Sequence, residues 1–424
     1  MAIRERQSTP SLGEIVREWG RIGCIGFGGP PAHVTLLREL CVKRRAWLSD
    51  TQFEHALAAV NLLPGPASTQ LAIYCAWRLR GNLGALVGGL CFILPGLAAI
   101  LALSTLFLSG SPPLWVRGAG LGAGAAVAAV AVRAGIGVAV PTFARVRGGL
   151  RARVALYALL GAAAAATVGP ELVLVLLACG TVELGWRGLA RGGSATSVIH
   201  TWGPSLAGLG THTRSLGAYL AGTRAVGAWL VGSPAARAAL LASVEPGGTG
   251  ALVWTALKVG ALAFGGGFVI VPLMQADAVN TYHWMTHAQF LNAVALGQVT
   301  PGPVTQTVAA VGYSAGGLWD GLLAALVAFA PSFSFILIGA SRFERLLSSE
   351  RVLAFLAGAA PAAAGAIVGS AIPLASAIGE SWQYFVLGGA AVALLVLRRG
   401  VVPTLLVAGA AGVLAALLGA PVPG

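Results

Sequence analysis

The chain has 424 residues, of which 57% are hydrophobic and only 10% are charged, and its formal net charge is +13 with a mean hydropathy of +0.82. Soluble domains carry roughly 25% charged residues, so this composition leaves too little polar surface for a water-soluble protein. The positive charge is typical of basic cytoplasmic loops and does not call for a nucleic-acid partner. We therefore expect an all-α, polytopic protein of the lipid bilayer.

The sequence lacks the patterns of secreted, metal-binding and catalytic proteins. The first 21 residues are charged throughout, so we do not expect a cleavable signal peptide. The five cysteines lie in mostly apolar segments without CxxC spacing, which favours buried hydrophobic side chains. His283 and His287 flank Trp284 near a segment end, where an interfacial belt is favoured over a metal site. We predict no cofactor, no metal and no enzymatic activity.

Six apolar stretches follow one another in the first half. The first, Ser11–Val42, contains Phe27-Gly28-Gly29, and the second, Ser49–Leu79, contains Pro64-Gly65-Pro66. Proline cannot donate a helical hydrogen bond and glycine readily adopts positive φ, so both motifs predict a break in a helix. Two spans long enough to cross a bilayer follow. They lie near 83–108 and 114–140, and two shorter stretches lie near 154–167 and 171–185.

The second half repeats this series at an offset of 237 residues. From Arg21 to Gln70, 15 of 50 aligned pairs are identical without a gap. Internal repeats of this kind are typical of secondary transporters. The corresponding stretches lie near 250–279, 286–316, 318–340, 352–377, 384–397 and 401–418. We predict an N-terminal transporter repeat at 1–185, a linker at 186–249 and a C-terminal transporter repeat at 250–424.

Basic residues in matching loops predict that the two halves have opposite orientations. The loops on both sides of Ser49–Leu79 are basic, whereas their counterparts contain no Lys or Arg; loops farther along the chain show the reverse pattern. Basic loops stay in the cytoplasm, so this complementarity indicates an inverted-topology repeat. The same count places both ends of Ser49–Leu79 on one side. We expect a re-entrant hairpin whose tip, Pro64-Gly65-Pro66, lies near the bilayer midplane; a kinked crossing helix is the alternative.

The broken helices are the candidate substrate site, where helices of both halves would meet near the midplane. A helix that starts after a Pro-Gly-Pro turn directs free N–H groups and a positive dipole end at an anion. Ser, Thr and Gln side chains add neutral hydrogen-bond donors. The candidate substrate-binding residues of the breaks are Gly28, Gly29, Pro64, Gly65, Pro66, Ser68, Thr69, Gln70, Gly265, Gly266, Gly267, Pro301, Gly302, Pro303, Thr305 and Gln306.

Three ionisable residues are also candidates. Arg21 and Lys258 each precede a Phe-Gly-Gly motif at the same spacing, so they could bind the anion or extend to the membrane interface. Glu54 lies within the first half-helix and is a candidate proton site, although its position near the helix start also fits an interfacial residue.

The sequence resembles the chromate ion transporter family in its long, two-domain form. The resemblance is carried by "FGGPPAHVTLL", "NLLPGPASTQLAIYCAWRLRG", "FGGGFVIVPLM" and "TPGPVTQT", which lie in both halves. It implies efflux of chromate from the bacterial cytoplasm through the inner (plasma) membrane, with chromate resistance as the outcome and sulfate as a related ligand. It supplies no list of binding residues, so the site rests on the physical argument.

We expect an exporter of a tetrahedral oxyanion. A dianion leaving a cell with a negative interior gains about 2 × 2.3 kcal/mol per 100 mV, so export needs no coupling ion. Proton-coupled uptake of sulfate or another oxyanion is the alternative within transport, and a membrane scaffold without transport activity is the alternative of another class. The expected partners are chromate or sulfate and the lipid bilayer, and assembly as a homodimer is left open.

Overall fold

The computed structural model describes residues 10–60, 65–144, 150–167, 172–191, 247–263, 268–340 and 349–422. These residues form α-helices with short π-helical and 3₁₀ segments, and no β-strand occurs among them. The all-α prediction is therefore confirmed for the described part of the chain. Most of the expected linker lies outside the described residues, so the division of the chain into two repeats and a linker stays a prediction.

The helices of the first half begin and end at the expected signals. Ser11 and Glu14 form a capping box that starts the first helix, and Pro30 starts the second after Gly28 and Gly29, which have φ of 95° and 73°. The helices are α1 (Leu12–Ile25), α2 (Pro30–Arg38), α3 (Asp50–Val60), α4 (Ala67–Phe107), α5 (Leu114–Ala144), α6 (Leu150–Thr167) and α7 (Leu172–Arg191).

The second half contains a corresponding series of helices. Its helices are α8 (Thr249–Leu262), α9 (Ile270–Gln275), α10 (His287–Val299), α11 (Thr307–Gly316), α12 (Leu318–Gly339), α13 (Glu350–Gly369), α14 (Ala371–Ser376), α15 (Ser381–Ala391) and α16 (Val401–Leu417). Both ends of α8 lie 237 residues after the ends of α1. The π-helical segment Ala276–Thr281 lies at the same offset from Glu39–Arg44.

Local backbone details recur at the same offset. Ala46 and His283, which are counterparts, both have positive φ, 49° and 54°. The hydroxyl oxygen of Ser49 accepts from the backbone N–H of Gln52 where α3 begins, and Thr286 forms the corresponding capping box with Gln289 at the start of α10. The repeat seen in the sequence is thus matched by a repeat of helix signals.

Both Pro-Gly-Pro motifs interrupt helices, as predicted. In the first half α3 ends at Val60 and α4 begins at Ala67; in the second, α10 ends at Val299 and a 3₁₀ turn leads into α11. A second interruption divides α4 into parts 67–79 and 82–107, because Gly81 has φ 59° and ψ −151°. Gly317, with φ 86° and ψ −160°, is its counterpart at an offset of 236 and separates α11 from α12. The offset is one residue shorter from this kink onward, and Pro95 and Pro331 of the following spans match at the same offset.

Four helices of the described chain are long and apolar enough to cross a bilayer. They are Ala67–Phe107, Leu114–Val140, Leu318–Gly339 and Glu350–Ser376. The long spans expected near 83–108, 114–140, 318–340 and 352–377 are confirmed as helices of that kind. Three apolar helices of the second half are shorter: Thr249–Leu262, Ser381–Val396 and Val401–Leu417.

The two counterpart spans α4 and α12 pack against each other in opposite directions. A Cβ atom on Gly89 would lie 2.5 Å from the ring of Phe333, and one on Gly321 would lie 2.7 Å from Leu101. The two helices therefore run antiparallel where they touch. Glycine permits this close approach of helices, as is usual for helices in lipid.

Helices α5 and α13 each pack on the last helix of the opposite half. A Cβ atom on Gly122 of α5 would lie 2.2 Å from the Ala408 carbonyl oxygen of α16, and one on Gly358 of α13 would lie 2.1 Å from the Cys179 carbonyl oxygen of α7. Gly122 and Gly358 are counterparts at the offset of 236, and α7 and α16 are the last described helices of their halves. The helices of the two halves therefore pack together in one bundle.

Candidate anion site

The turns that follow the two breaks have the backbone geometry expected of tight reversals. Gly65 has φ 121° and Gly302 has φ 95°, in a region that L side chains rarely adopt. Both glycines are buried. We call the two turns the first tip, Gly65–Pro66, and the second tip, Pro301–Pro303.

Each tip lies against the opposite half. The backbone N–H of Gly302 donates to the carbonyl oxygen of Gly26, at the first-half break, at 2.9 Å. At the first tip, a Cβ atom on Gly65 would lie 3.4 Å from the carbonyl oxygen of Gly260 and 3.4 Å from Ser332 Oγ. Gly260 and Ser332 both belong to the second half, in α8 and α12. The two Pro-Gly-Pro motifs therefore lie at one interface between the halves.

The second tip packs at the middle of a long span. A Cβ atom on Gly96 would lie 1.9 Å from the Pro301 carbonyl oxygen, and Gln306 Nε2 donates to the Ile93 carbonyl oxygen at 2.8 Å. Gly96 lies about midway between the kink at Gly81 and the end of α4. The tip therefore reaches the central level of the longest apolar helix.

Several polar side chains beside the tips are buried without a hydrogen-bond partner among the described residues. They include the Oγ1 atoms of Thr69 and Thr305, Oε1 of Gln306 and Oγ of Ser332. The exposed fraction of each of these four residues is at most 1%. Leaving a polar group buried and unpaired costs about 1–3 kcal/mol. The three hydroxyls could donate to the oxygen atoms of an anion, whereas Gln306 Oε1 accepts and would need a donor such as water.

His33 connects the first-half break to the half-helix that follows the first tip. Its Nε2 lies 2.8 Å from the Gly26 carbonyl oxygen, its Nδ1 lies 3.2 Å from Ser68 Oγ, and its ring packs edge-on against Phe92. The side chain is fully buried. Sequence reasoning missed this residue, although a histidine two positions after Pro31 in a broken apolar segment was a usable signal. It also missed Gly96 and Ser332, which carry no local signal.

The two predicted cations occupy different environments. Lys258 Nζ lies 2.5 Å from Asp277 Oδ2 and over the ring of Trp254, and Thr255 donates to the same carboxylate oxygen at 2.7 Å. Lys258 is therefore neutralised by a neighbouring acid. Arg21 lies on an exposed face of α1. Among the described residues, no hydrogen bond or ion pair joins either cation to a tip.

Glu54 lies away from the tips as well. Its carboxylate pairs with Arg38, which also donates to Asp50 Oδ1 at 2.9 Å, and about half of the Glu54 side chain is exposed. Asp50 opens α3, so this acidic pair belongs to the end of α3 farther from the tip. The exposed position fits the interfacial interpretation better than a buried proton site.

The structure brings most of the described break residues together. Ser68, Thr69 and Gln70 follow the first tip, and Thr305 and Gln306 follow the second; all five are buried. Gly29 faces the second tip, where its Cβ atom would lie 3.6 Å from Val304, whereas Gly28 is exposed. Pro64 and the glycines Gly265, Gly266 and Gly267 lie outside the described residues.

Comparisons with known proteins agree with this architecture. A family model described as "Chromate transporter" matches residues 13–184 and again residues 250–416. A chromate transport protein of Cupriavidus metallidurans is 30% identical over 95% of this chain and 92% of its own length. A chromate transport protein of Pseudomonas aeruginosa is 32% identical over 85% of this chain and 80% of its own length. A probable chromate transport protein of Synechococcus elongatus is 26% identical over 86% and 84%, respectively. No solved structure matches the chain.

Proposed function

The chain belongs to the chromate transporter family and is a membrane transporter, and we propose that it exports chromate from the bacterial cytoplasm across the inner membrane. Chromate resistance would be the cellular result. The similarity to transport proteins spans nearly the whole chain, which argues against a scaffold without transport activity and against an enzyme.

The oxyanion binds, in this proposal, between the two tips. The single observation that carries the site is the meeting of both Pro-Gly-Pro turns at one interface, beside buried hydroxyls that lack partners among the described residues. The first residues of α4 and of the 3₁₀ turn before α11 add free N–H groups and positive dipole ends. Chromate and sulfate are both tetrahedral dianions, so we propose sulfate as a second ligand.

Inverted topology and re-entrant hairpins are part of the proposal. Counterpart helices α4 and α12 run antiparallel where they touch, which supports opposite orientations of the halves. The kink at Gly81 turns part 82–107 of α4 back along part 67–79, so that a Cβ atom on Gly88 would lie 2.5 Å from that of Ala76. In this arrangement the first tip is deep and both ends of its hairpin lie on one side, as the basic loops predict.

An asymmetry between the halves supports alternating access. In the second half, Asn292 and Leu291 of α10 are buried against Gly120 and Gly124 of α5. Their counterparts in α3, Glu54 and His55, are exposed. The α13 positions that correspond to Gly120 and Gly124 are Leu356 and Ala360, of which Ala360 is exposed and Leu356 half-buried.

The mirrored contact, α3 on α13, is thus open while the contact of α10 on α5 is closed. A transporter with internally repeated halves can exchange such a pair of contacts between its two end states. We propose that the second state closes α3 on α13 and separates α10 from α5, which opens the tips to the other side of the membrane.

The direction of transport follows from the electrical work. Moving a dianion out of a negative interior gains about 2 × 2.3 kcal/mol per 100 mV, which is roughly three decades of concentration ratio. Uptake against that potential would require a coupling ion. Glu54, the one carboxylate predicted for that role, is half exposed and already paired with Arg38. This observation favours export over proton-coupled uptake through Glu54.

The test is radiolabelled chromate and sulfate flux in proteoliposomes held at set potentials of either sign. We expect chromate flux that accelerates when the compartment containing chromate is made negative. Flux without that voltage dependence would contradict uncoupled export, and no flux in either direction would contradict the transport function. Chemical cross-linking in native membranes tests the homodimer.

A further inference from the structure

His33 is a buried ionisable residue at the proposed anion site. Its two ring nitrogens contact two structural elements of that site, the break at Gly26 and the half-helix that begins after the first tip. The counterpart position in the second half is Ile270, so the second tip has no equivalent. This inference rests on the proposed function, since it concerns the same anion.

The hydrogen bonds fix the tautomer of the neutral ring. The oxygen of Gly26 is a carbonyl and can only accept, so Nε2 must carry a hydrogen and donate to it. In the neutral ring Nδ1 then has a lone pair and accepts from Ser68. A hydroxyl has one hydrogen, so Ser68 has none left to donate to an oxyanion.

Protonation of His33 reverses the second hydrogen bond. Both nitrogens then donate, Ser68 Oγ accepts from Nδ1, and the Ser68 hydrogen is free to turn toward the tip. Thr305, the counterpart of Ser68, has no histidine beside it and its hydroxyl has no partner among the described residues. The second tip therefore offers its hydroxyl in either state, whereas the first tip offers one only when His33 is charged.

We propose that His33 is a proton-binding residue of the anion site, and that its protonation frees the Ser68 hydroxyl to donate to the bound oxyanion. The proton comes from the surrounding water, and the positive imidazolium ring adds attraction for the dianion. Proton and oxyanion then bind together, and each raises the affinity for the other by the same factor, as linkage requires. If the proton leaves with the dianion, the pair carries one net negative charge, and an inside-negative potential still favours its export with half the electrical work.

Among the described residues, the elements packed around His33 supply no other titratable partner to its ring. They are α1, α2, α4 and the second tip, and the tip contains no titratable side chain. Within the described chain, none of the other titratable or charged side chains on these elements is a hydrogen-bond or ion-pair partner of His33. Those side chains are Glu14, Arg17, Glu18, Arg21, Cys24, Arg38, Tyr74, Cys75, Arg78, Arg80 and Cys91.

Burial without an acidic partner disfavours the charged ring, so the pKa of His33 lies below the usual range of histidine. The test therefore compares chromate transport by the wild type and His33→Gln in proteoliposomes between about pH 4 and 8. A glutamine amide can still donate to the Gly26 carbonyl oxygen, but it does not titrate, so its hydrogen bonds do not change with pH. Chromate itself takes up a proton in this range, so the measured quantity is the ratio of half-saturating chromate concentrations of the two proteins. That ratio cancels the titration of chromate.

We expect the wild type to lose affinity relative to His33→Gln by about tenfold or more as the pH rises, the loss of one hydrogen bond to a charged ligand. The ratio of the wild type to Ser68→Ala should also change with pH, because this variant has no hydroxyl for His33 to release, and it serves as the second variant if His33→Gln inserts poorly. His283→Asn, an exposed histidine far from the tips in sequence, should keep the wild-type profile.

The proposal would be overturned if the ratio of half-saturating chromate concentrations, wild type to variant, stayed constant with pH for both His33→Gln and Ser68→Ala. In that case wild-type chromate flux would still be present, so the transport function itself would stand. Absence of chromate flux in the wild type would instead overturn the transport proposal.

Discussion

The backbone N–H of Gly302 donates to the carbonyl oxygen of Gly26 at 2.9 Å. The bond joins the second tip to the break in the first half, two positions that are 276 residues apart in the chain. The same carbonyl oxygen lies 2.8 Å from Nε2 of His33. One peptide oxygen thus holds together both halves and the buried histidine, which is why the repeated motifs are best understood as parts of one site.

Gly96 tests the packing of the second tip. In Gly96→Ala the new methyl group would meet the Pro301 carbonyl oxygen at 1.9 Å and Gln306 Oε1 at 2.5 Å, so the tip has to move. Overpacking of this kind typically costs about 1–3 kcal/mol, and we expect chromate flux to fall roughly tenfold. Gly137→Ala in α5, where nothing lies within 4 Å of the added atom, is the matched control. Equal flux from both variants would show that the tip tolerates displacement.

Substitution of Lys258 tests whether the site needs a cation or only a neutral pair beside the second-half break. Lys258→Gln leaves the buried carboxylate of Asp277 without its partner, which costs about 3–5 kcal/mol for a buried pair. We expect low yield and a lowered melting temperature, both largely restored in the double variant Lys258→Gln, Asp277→Asn. If Lys258 binds the anion directly, the double variant will be stable but will have a raised half-saturating chromate concentration.

Arg21 is the counterpart of Lys258 on α1, and it is exposed. We expect Arg21→Gln to insert normally and to change the half-saturating chromate concentration by less than about threefold, since exposed charges contribute little. A tenfold rise would place Arg21 in the anion pathway in another state of the transporter.

Cysteine labelling tests the opposite orientation of the halves. Ala152→Cys, in the first turn of α6, and Gly379→Cys, between α14 and α15, are exposed sites in matching parts of the two halves, the first beside basic residues and the second without them. In a background without the five native cysteines, an impermeant thiol reagent should label Gly379→Cys from outside and Ala152→Cys only from inside. Labelling of both sites from the same side would rule out inverted topology.

Cross-linking tests the exchange of contacts in alternating access. The pair Gly120→Cys with Asn292→Cys should form a disulfide in the state described, because the Asn292 side chain lies within 2.8 Å of a Cβ atom on Gly120. The mirrored pair Leu356→Cys with His55→Cys should form only in the second state, and chromate should change the two yields in opposite directions. If the mirrored pair never cross-links in an actively transporting protein, α3 does not dock on α13.

Helix positions were predictable because local signals determine them. Pro-Gly-Pro, Phe-Gly-Gly and the capping boxes at Ser49 and Thr286 act over a few residues, and the repeat doubles each signal. The contacts of the site were less predictable. Nothing local shows that Gly302 binds Gly26, or that Ser332 faces Gly65, because these pairs depend on how two halves pack.

The surroundings of the two predicted cations were the least predictable feature of the site. The matching positions of Arg21 and Lys258 suggested equivalent roles, yet the acidic partner of Lys258 has no counterpart in the first half. Asp277 pairs with Lys258, and its counterpart in the first half is Leu40. Partners of this kind lie on other helices, so sequence periodicity does not disclose them.

Chromate flux through Gly65→Val and Gly302→Val is the most direct test of a site formed by both tips. Valine at φ 121° or 95° is strained whatever space surrounds it, and its Cβ atom would lie 2.5 Å from Gln70 Nε2 at the first tip and 3.0 Å from Gln306 Nε2 at the second. The apolar spans that drive membrane insertion are unchanged in both variants. We predict normal insertion and no chromate flux from either single variant; near-wild-type flux from either one, at equal protein levels, would contradict a shared site at the two tips.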